Sequence, residues 1–155
     1  MSDIETRLAD LGLTLPEPAA PVASYVPYTI ANGMVFVSGQ VPFIGGGAVI
    51  TGTLGLDMEV EAGAKAAEVC ALGLLAQVKL ACDGDLGRLD RCIKLGGFVA
   101  CTPDFTDQPK VINGASDLML SALGDAGRHA RAAVGVPALP LGSAVEVDGI
   151  FTLKG

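Results

Sequence analysis

Apolar positions recur along this chain at different periods, and the changes of period mark out the elements. Ile4, Leu8 and Leu11 fall at helical spacing, with Asp3 placed to cap, which predicts a short amphipathic helix over Asp3–Leu11. Gly12, Pro16, Pro18 and Pro21 end it and give an extended connector. Val22–Ile30 reads as the first strand; Pro27, between Tyr25 and Tyr28, places it at a sheet edge or a bulge. Asn32-Gly33 is a hairpin signal, because both central residues of a type I′ turn need positive φ. Met34–Gln40 (MVFVSGQ) returns as the second strand. Gly45–Gly47 and Gly52–Gly55 bracket a third, short strand around Ala48–Ile50.

The period then changes to that of a long helix, from Asp57 or Met58 to about Cys82, with Val60, Ala64, Ala67, Leu72, Leu75 and Val78 on its apolar face. Gly63 and Gly73 each cost it about 1 kcal/mol relative to alanine, but allow close approach to a sheet. Asp83-Gly84 closes the helix. Leu89–Cys101 is the next strand, Thr102–Gln108 a loop, and Pro109–Gly124 a second amphipathic helix. Arg131–Phe151 holds two more strands around a Pro- and Gly-bearing turn: Ala132–Val136, and Ala144–Phe151, where Val145 and Val147 alternate with Glu146 and Asp148. The order β-β-β-α-β-α-β-β predicts an α+β fold, one mixed sheet with two helices on one face. Residues 1–19 form a helical extension and connector, and 20–155 the domain.

Half of the 155 residues are hydrophobic and 17% are charged, so the charged surface of a monomer is thin. Excess apolar surface of this kind is often hidden between subunits. The richest run, Val69–Leu80, is broken by Gln77 and Lys79, and no membrane span is expected. Met1–Asp10 is acidic and amphipathic rather than basic then apolar, so the expected location is cytoplasmic. A net charge of −7 opposes nucleic-acid binding, which needs clustered cations. Cys70, Cys82, Cys92 and Cys101 show no metal-ligand spacing, and one histidine leaves little for a metal site; the cysteines read as buried structural thiols.

The candidate chemistry lies in the last two strands. Arg131, at a strand mouth, can clamp a carboxylate through two parallel hydrogen bonds. Glu146, across the ladder, can hold a water or move a proton. A strand-end salt bridge and a solvated glutamate is the competing reading. Ser38-Gly39-Gln40 ends a strand with backbone donors beside a glycine, where a ligand can approach. His129 reads as a solvent-facing loop residue and Cys101 as core.

The ordered set of segments resembles the YjgF/RidA family, reactive-intermediate imine deaminases formerly labelled endoribonuclease L-PSP. Met34–Pro42 (MVFVSGQVP) is similar to the family's S-G-Q-x-P strand, Gly63–Ala81 to its long helix, and Phe98–Phe105 to the strand and loop that follow. Val111–Asn113 matches an asparagine-bearing stretch of its second helix, Ala130–Val134 (ARAAV) its A-R-S-x-V, and Val145–Ile150 (VEVDGI) its I-E-I-E-A-I.

The resemblance implies a chorismate-mutase-like fold with a six-stranded mixed sheet, and a homotrimer with three clefts between subunits. It implies hydrolysis of 2-imino acids to 2-oxo acids and ammonia, with no cofactor and no metal. By position, Arg131 would bind the substrate carboxylate and Glu146 would place the attacking water and move its proton. Tyr25 would line the cleft from a neighbouring subunit, as would Asn113, with the backbone around Ser38, Gly39 and Ala133 completing the hydrogen bonds. A cleft that binds small carboxylates without turnover is the alternative. The chain departs from the family pattern at Ala132, Ala133 and Gly135, where serine, cysteine and an acidic residue are usual, and at Pro27 in place of a glutamine. With its N-terminal extension and longer glycine-rich hairpin, it resembles a longer sister subgroup.

Overall fold

The computed structural model describes residues 1–18, 20 and 23–155. Helix α1 (Asp3–Asp10) is capped by Ser2 rather than Asp3: the Ser2 hydroxyl accepts from the Glu5 N–H, and the Glu5 carboxylate accepts from the Ser2 N–H at 2.9 Å. This S-x-x-E capping box satisfies two end donors reciprocally and outcompetes a lone aspartate. Ile4 and Leu8 turn inward.

Strand β1 (Tyr28–Ala31) is shorter than the sequence suggests, because Pro27 lacks an N–H for the ladder. Val22 lies outside the described residues, and Tyr25 stands in a bend. Asn32 and Gly33 take φ of 51° and 74° and turn the chain into β2 (Met34–Gln40). The next region holds two strands where one was expected. β3 (Phe43–Gly45) and β4 (Ala48–Val49) form a separate hairpin around three successive positive-φ glycines, Gly45–Gly47. The main sheet therefore has five strands, not six.

Helix α2 (Val60–Ala81), β5 (Leu89–Ala100), α3 (Gln108–Leu123), β6 (Ala130–Val136) and β7 (Val145–Leu153) complete the fold. The sheet order is β1-β2-β7-β5-β6, antiparallel except for the parallel β5–β6 pair. β6 and β7 are consecutive in sequence yet do not pair; β5 lies between them.

Alternation fixes the two faces of the sheet. Val145, Val147, Gly149 and Phe151 of β7 are buried on the side where α2 packs, while Glu146, Asp148 and Ile150 point to the other side. That other side has no covering helix, and carries Phe36, paired with Ile150, and Val134, paired with Phe98. Phe36 and Val134 are exposed.

Two glycines set how closely the helices lie. Gly73 of α2 faces Gln40 of β2, the close approach to a sheet that the sequence predicts. Gly63 instead meets Leu54 and Val111 of α3, and a Cβ at Gly114 of α3 would run into the Ala64 carbonyl of α2. The two helices pack backbone to backbone, which brings the polar edge of α3 over β6.

Candidate functional site

The candidate residues fall into two clusters on opposite faces of the sheet. The first centres on Glu146. Between Val37 and Gln40 the β2–β7 register slips, so one extra β2 residue is accommodated at Ser38-Gly39. The bulge brings Gly39 against the glutamate: a Cβ there would take the space of Glu146 Oε1. Ser38 is committed to structure, its hydroxyl donating to the Val26 carbonyl at 2.7 Å and its N–H to the Pro27 carbonyl at 2.9 Å. Those bonds hold the segment bearing Tyr25. Tyr25, Gly39, Phe43, Leu141 and Glu146 line one cavity of about 380 Å³. Leu141 reaches it from the Pro140–Gly142 turn in a left-handed conformation (φ 61°) that a branched aliphatic residue seldom adopts.

Burial raises the Glu146 pKa above the usual carboxylate value, and the nearby Asp148 adds to the rise. Asp148 is raised as well, again chiefly by burial, against the opposing pull of the Gly96 N–H and of Lys94.

The second cluster centres on Arg131. Arg131 pairs with the fully buried Leu95, so its side chain leaves β6 on the helix-covered face. Nη1 donates to Asn113 Oδ1 at 2.8 Å and to Ser116 Oγ at 3.1 Å. Asn113 and Ser116 stand three residues apart, on one side of α3. Asn113 thus joins Arg131 within the same chain, not from a neighbour. Ala133 follows on the same face of β6.

His129 is not a free loop residue. Nε2 lies 2.8 Å from Ser116 Oγ and Nδ1 lies 2.6 Å from the Gly127 carbonyl. Among the described residues Arg131 forms no ion pair; its partners are neutral, which disfavours the salt-bridge reading. An arginine whose charge is unneutralised but whose position is fixed suits an incoming anion.

Arg131 and Glu146 are not ladder neighbours. Glu146 pairs with Phe98 and Arg131 with Leu95, on opposite sides of β5 and three residues apart along it. Strand geometry puts their Cα atoms roughly 14 Å apart, with the side chains on opposite faces. The short turn between β6 and β7 predicts that the two strands pair; the parallel β5–β6 pairing overrides that. Ser116 and the partners of His129 carry no sequence signal of their own; the N-x-x-S spacing says only that Asn113 and Ser116 share one side of a helix.

The thiols carry no comparable chemistry. Cys70, Cys82 and Cys92 are buried and free, and burial pushes the Cys92 thiol up to about 12 and raises Cys70 still further. Cys101 is only partly buried, beside Gln108. No cluster among the described residues could hold a metal ion, and no described helix is long and apolar enough to cross a membrane.

Residues 5–152 match the family model described as "YjgF/chorismate mutase-like, putative endoribonuclease". The chain belongs to this family. Members are typically oligomers that bind small molecules. Protein TCP17 of Trypanosoma cruzi is 47% identical over 152 residues, 97% of this chain and 94% of its own length. The crystal structure of Atu1372 from Agrobacterium tumefaciens, a protein of unknown function, superposes with a TM-score of 0.92 at 49% identity, over 98% of this chain and 93% of that one. A putative endoribonuclease from Shewanella oneidensis gives the same TM-score at 38% identity, covering 97% and 99%. These matches span α1 and the glycine-rich hairpin as well as the sheet.

Proposed function

We propose that this protein hydrolyses 2-imino acids and their enamine tautomers to 2-oxo acids and ammonia, in clefts shared between copies of the chain in a homotrimer. The observation that carries the reading is the division of the candidate residues. One face of the sheet bears a fixed, charged arginine, and the other bears a half-buried glutamate in an apolar cavity. One chain cannot bring them onto one small substrate. Two copies can, if the edge of β6 in one abuts the open face of another, and the exposed Phe36 and Val134 give that face reason to be covered.

In such a cleft Arg131 grips the carboxylate bidentately, with Asn113 beside it. Glu146 of the second copy accepts a proton from a water as that water attacks C2 of the imine. It passes that proton to the nitrogen, giving the carbinolamine; a second transfer through the same carboxylate carries the hydroxyl proton to the nitrogen, the C–N bond breaks, ammonia leaves and the carbonyl forms. The raised proton affinity of Glu146 suits a group that must both take and give a proton near neutral pH. Imines already hydrolyse in water, so orientation and one proton shuttle of a few kcal/mol suffice. Tyr25, Phe43 and Leu141 form the wall against which the substrate side chain lies.

The test is imine loss in a coupled assay, an amino-acid oxidase generating the imine and semicarbazide trapping what remains. Wild type should accelerate the loss. Arg131→Ala and Glu146→Gln should each reduce kcat/KM by about 100-fold or more. No acceleration by a folded oligomer would sink the reading.

Carboxylate binding without turnover is the second reading, favoured by the small apolar Ala133 beside Arg131 where the family pattern carries a thiol. The coupled assay run beside a 2-oxo acid titration separates the two, since a mere binder takes up the acid while imine loss stays at its uncatalysed rate. The family description raises RNA cleavage, which the net charge of −7 disfavours. RNA cleavage that persisted in Arg131→Ala after repurification would revive it.

A further inference from the structure

The groups behind Arg131 form an unbroken hydrogen-bond chain whose direction is fixed at both ends. A guanidinium only donates, and Nη1 of Arg131 reaches Ser116 Oγ at 3.1 Å. A carbonyl only accepts, and that of Gly127 lies 2.6 Å from His129 Nδ1. Nδ1 therefore carries a ring proton, and in the neutral tautomer Nε2 is left as the acceptor. Ser116, having accepted from the arginine, donates its own proton to Nε2 at 2.8 Å. The far end is rigid. Gly127 is buried, and a Cβ there would collide with the Met119 carbonyl, so close packing against the end of α3 sets the place of the Gly127 carbonyl.

We propose that Ser116 and His129 are positioning residues that orient the Arg131 guanidinium for a ligand carboxylate. The inference rests on Arg131 being the carboxylate clamp. The physical reason is preorganisation. Arginine has a rotamer-rich side chain, and an affinity that must first freeze it is weaker than one that finds it frozen. Ser116 and Asn113 occupy the Nη1 end, so the remaining N–H groups of the fork are those presented to a ligand. His129 holds Ser116 in the rotamer that makes this possible. A serine alone on α3 would be free to turn and bond backward to its own helix.

The chain has a single histidine, so its imidazole resonances report on this relay without ambiguity. In 15N-labelled protein without ligand, they should show the neutral tautomer protonated at Nδ1. Titration with 2-oxobutanoate, a 2-oxo acid, should shift them. Ser116→Ala and His129→Ala should each raise the Kd for 2-oxobutanoate about tenfold, the double variant should be no worse than either single one, and Ser116→Thr, which keeps the hydroxyl, should bind as wild type does. With imine substrates the same two alanine variants should raise KM while kcat stays within about twofold, a split that general loosening of the fold would not give. A proton at Nε2, or wild-type affinity in Ser116→Ala, overturns the relay. Binding lost in Arg131→Ala but kept in Ser116→Ala leaves the clamp standing and removes only the relay. No binding of 2-oxobutanoate to wild type overturns both.

Discussion

Glu146 is a carboxyl that the fold makes reluctant to ionise, and the consequence has a definite sign. Its proton is held more tightly in the folded chain than in the unfolded one, through burial and then the neighbouring Asp148. Folding is therefore favoured while the group is protonated, and stability is lost as pH rises from the ordinary carboxylate value through the folded one. Glu146→Gln should stabilise the fold at pH 7–8 and raise its melting temperature, the gain being about 1 kcal/mol or less because the group is only half-buried. The gain should fade toward pH 4, while catalysis is lost at every pH. Thermal melts across that range check it; a variant less stable than wild type at pH 8 would mean that Glu146 makes favourable contacts outweighing its burial. Arg131 and Glu146 were legible in the sequence as candidates, a cation at a strand mouth and a carboxylate alternating with valines; the roles proposed for them come from the family resemblance. Ser116 was not, since a serine on a helix looks the same whether it faces water or a histidine.

At the scale of elements, helix contacts decide where the polar edge of α3 falls. Gly114→Ala places a methyl against the Ala64 carbonyl of α2 and should cost about 1–3 kcal/mol. Because α3 must then lift from β6, the affinity for 2-oxo acids should weaken as well; a denaturant melt with a ligand titration measures both. α1 is held by the Glu5–Lys79 ion pair at 2.7 Å and by its capping box. The hydrogen bond from Lys79 is the main reason the Glu5 carboxyl is lowered to about 2. Its contribution is whole above the unfolded value and lost as pH falls toward about 2. Glu5→Gln should thus destabilise at neutral pH by no more than about 1 kcal/mol and be indistinguishable from wild type near pH 2. The helices and most strands were legible from period and punctuation, within a few residues of their ends; β1 was not, since it starts at Tyr28 where the sequence suggests Val22. Strand order was not. β6 and β7 are neighbours in sequence, and the parallel pairing that inserts β5 between them depends on contacts 36 residues apart (Lys94 with Ala130, for example), which no local pattern encodes. The β3–β4 hairpin was half-seen, its glycines read as turns but its first strand missed for want of β-branched length.

For the whole molecule, the uncovered sheet face is the dominant fact. It carries Phe36, Ile150 and Val134 with the two reluctant carboxyls, and a chain only 17% charged has little else with which to stay apart from its copies. If the proposed trimer is built on this face, Phe36→Asp should give a monomer on light-scattering chromatography and abolish the proposed imine hydrolysis without unfolding the chain, since the residue is exposed in the isolated subunit. A variant that stays oligomeric would move the interface elsewhere. The central claim is that each site takes its arginine from one copy and its glutamate from another, and subunit mixing tests it most directly. Arg131→Ala and Glu146→Gln chains, each inactive alone, would be co-expressed with different tags and the mixed oligomers isolated. In a mixed trimer of either composition one cleft of the three receives both intact residues, so the isolated mixed oligomers should recover about a third of wild-type imine hydrolysis. Mixed oligomers that stay as inactive as their parents, while wild type turns over, would contradict the shared cleft.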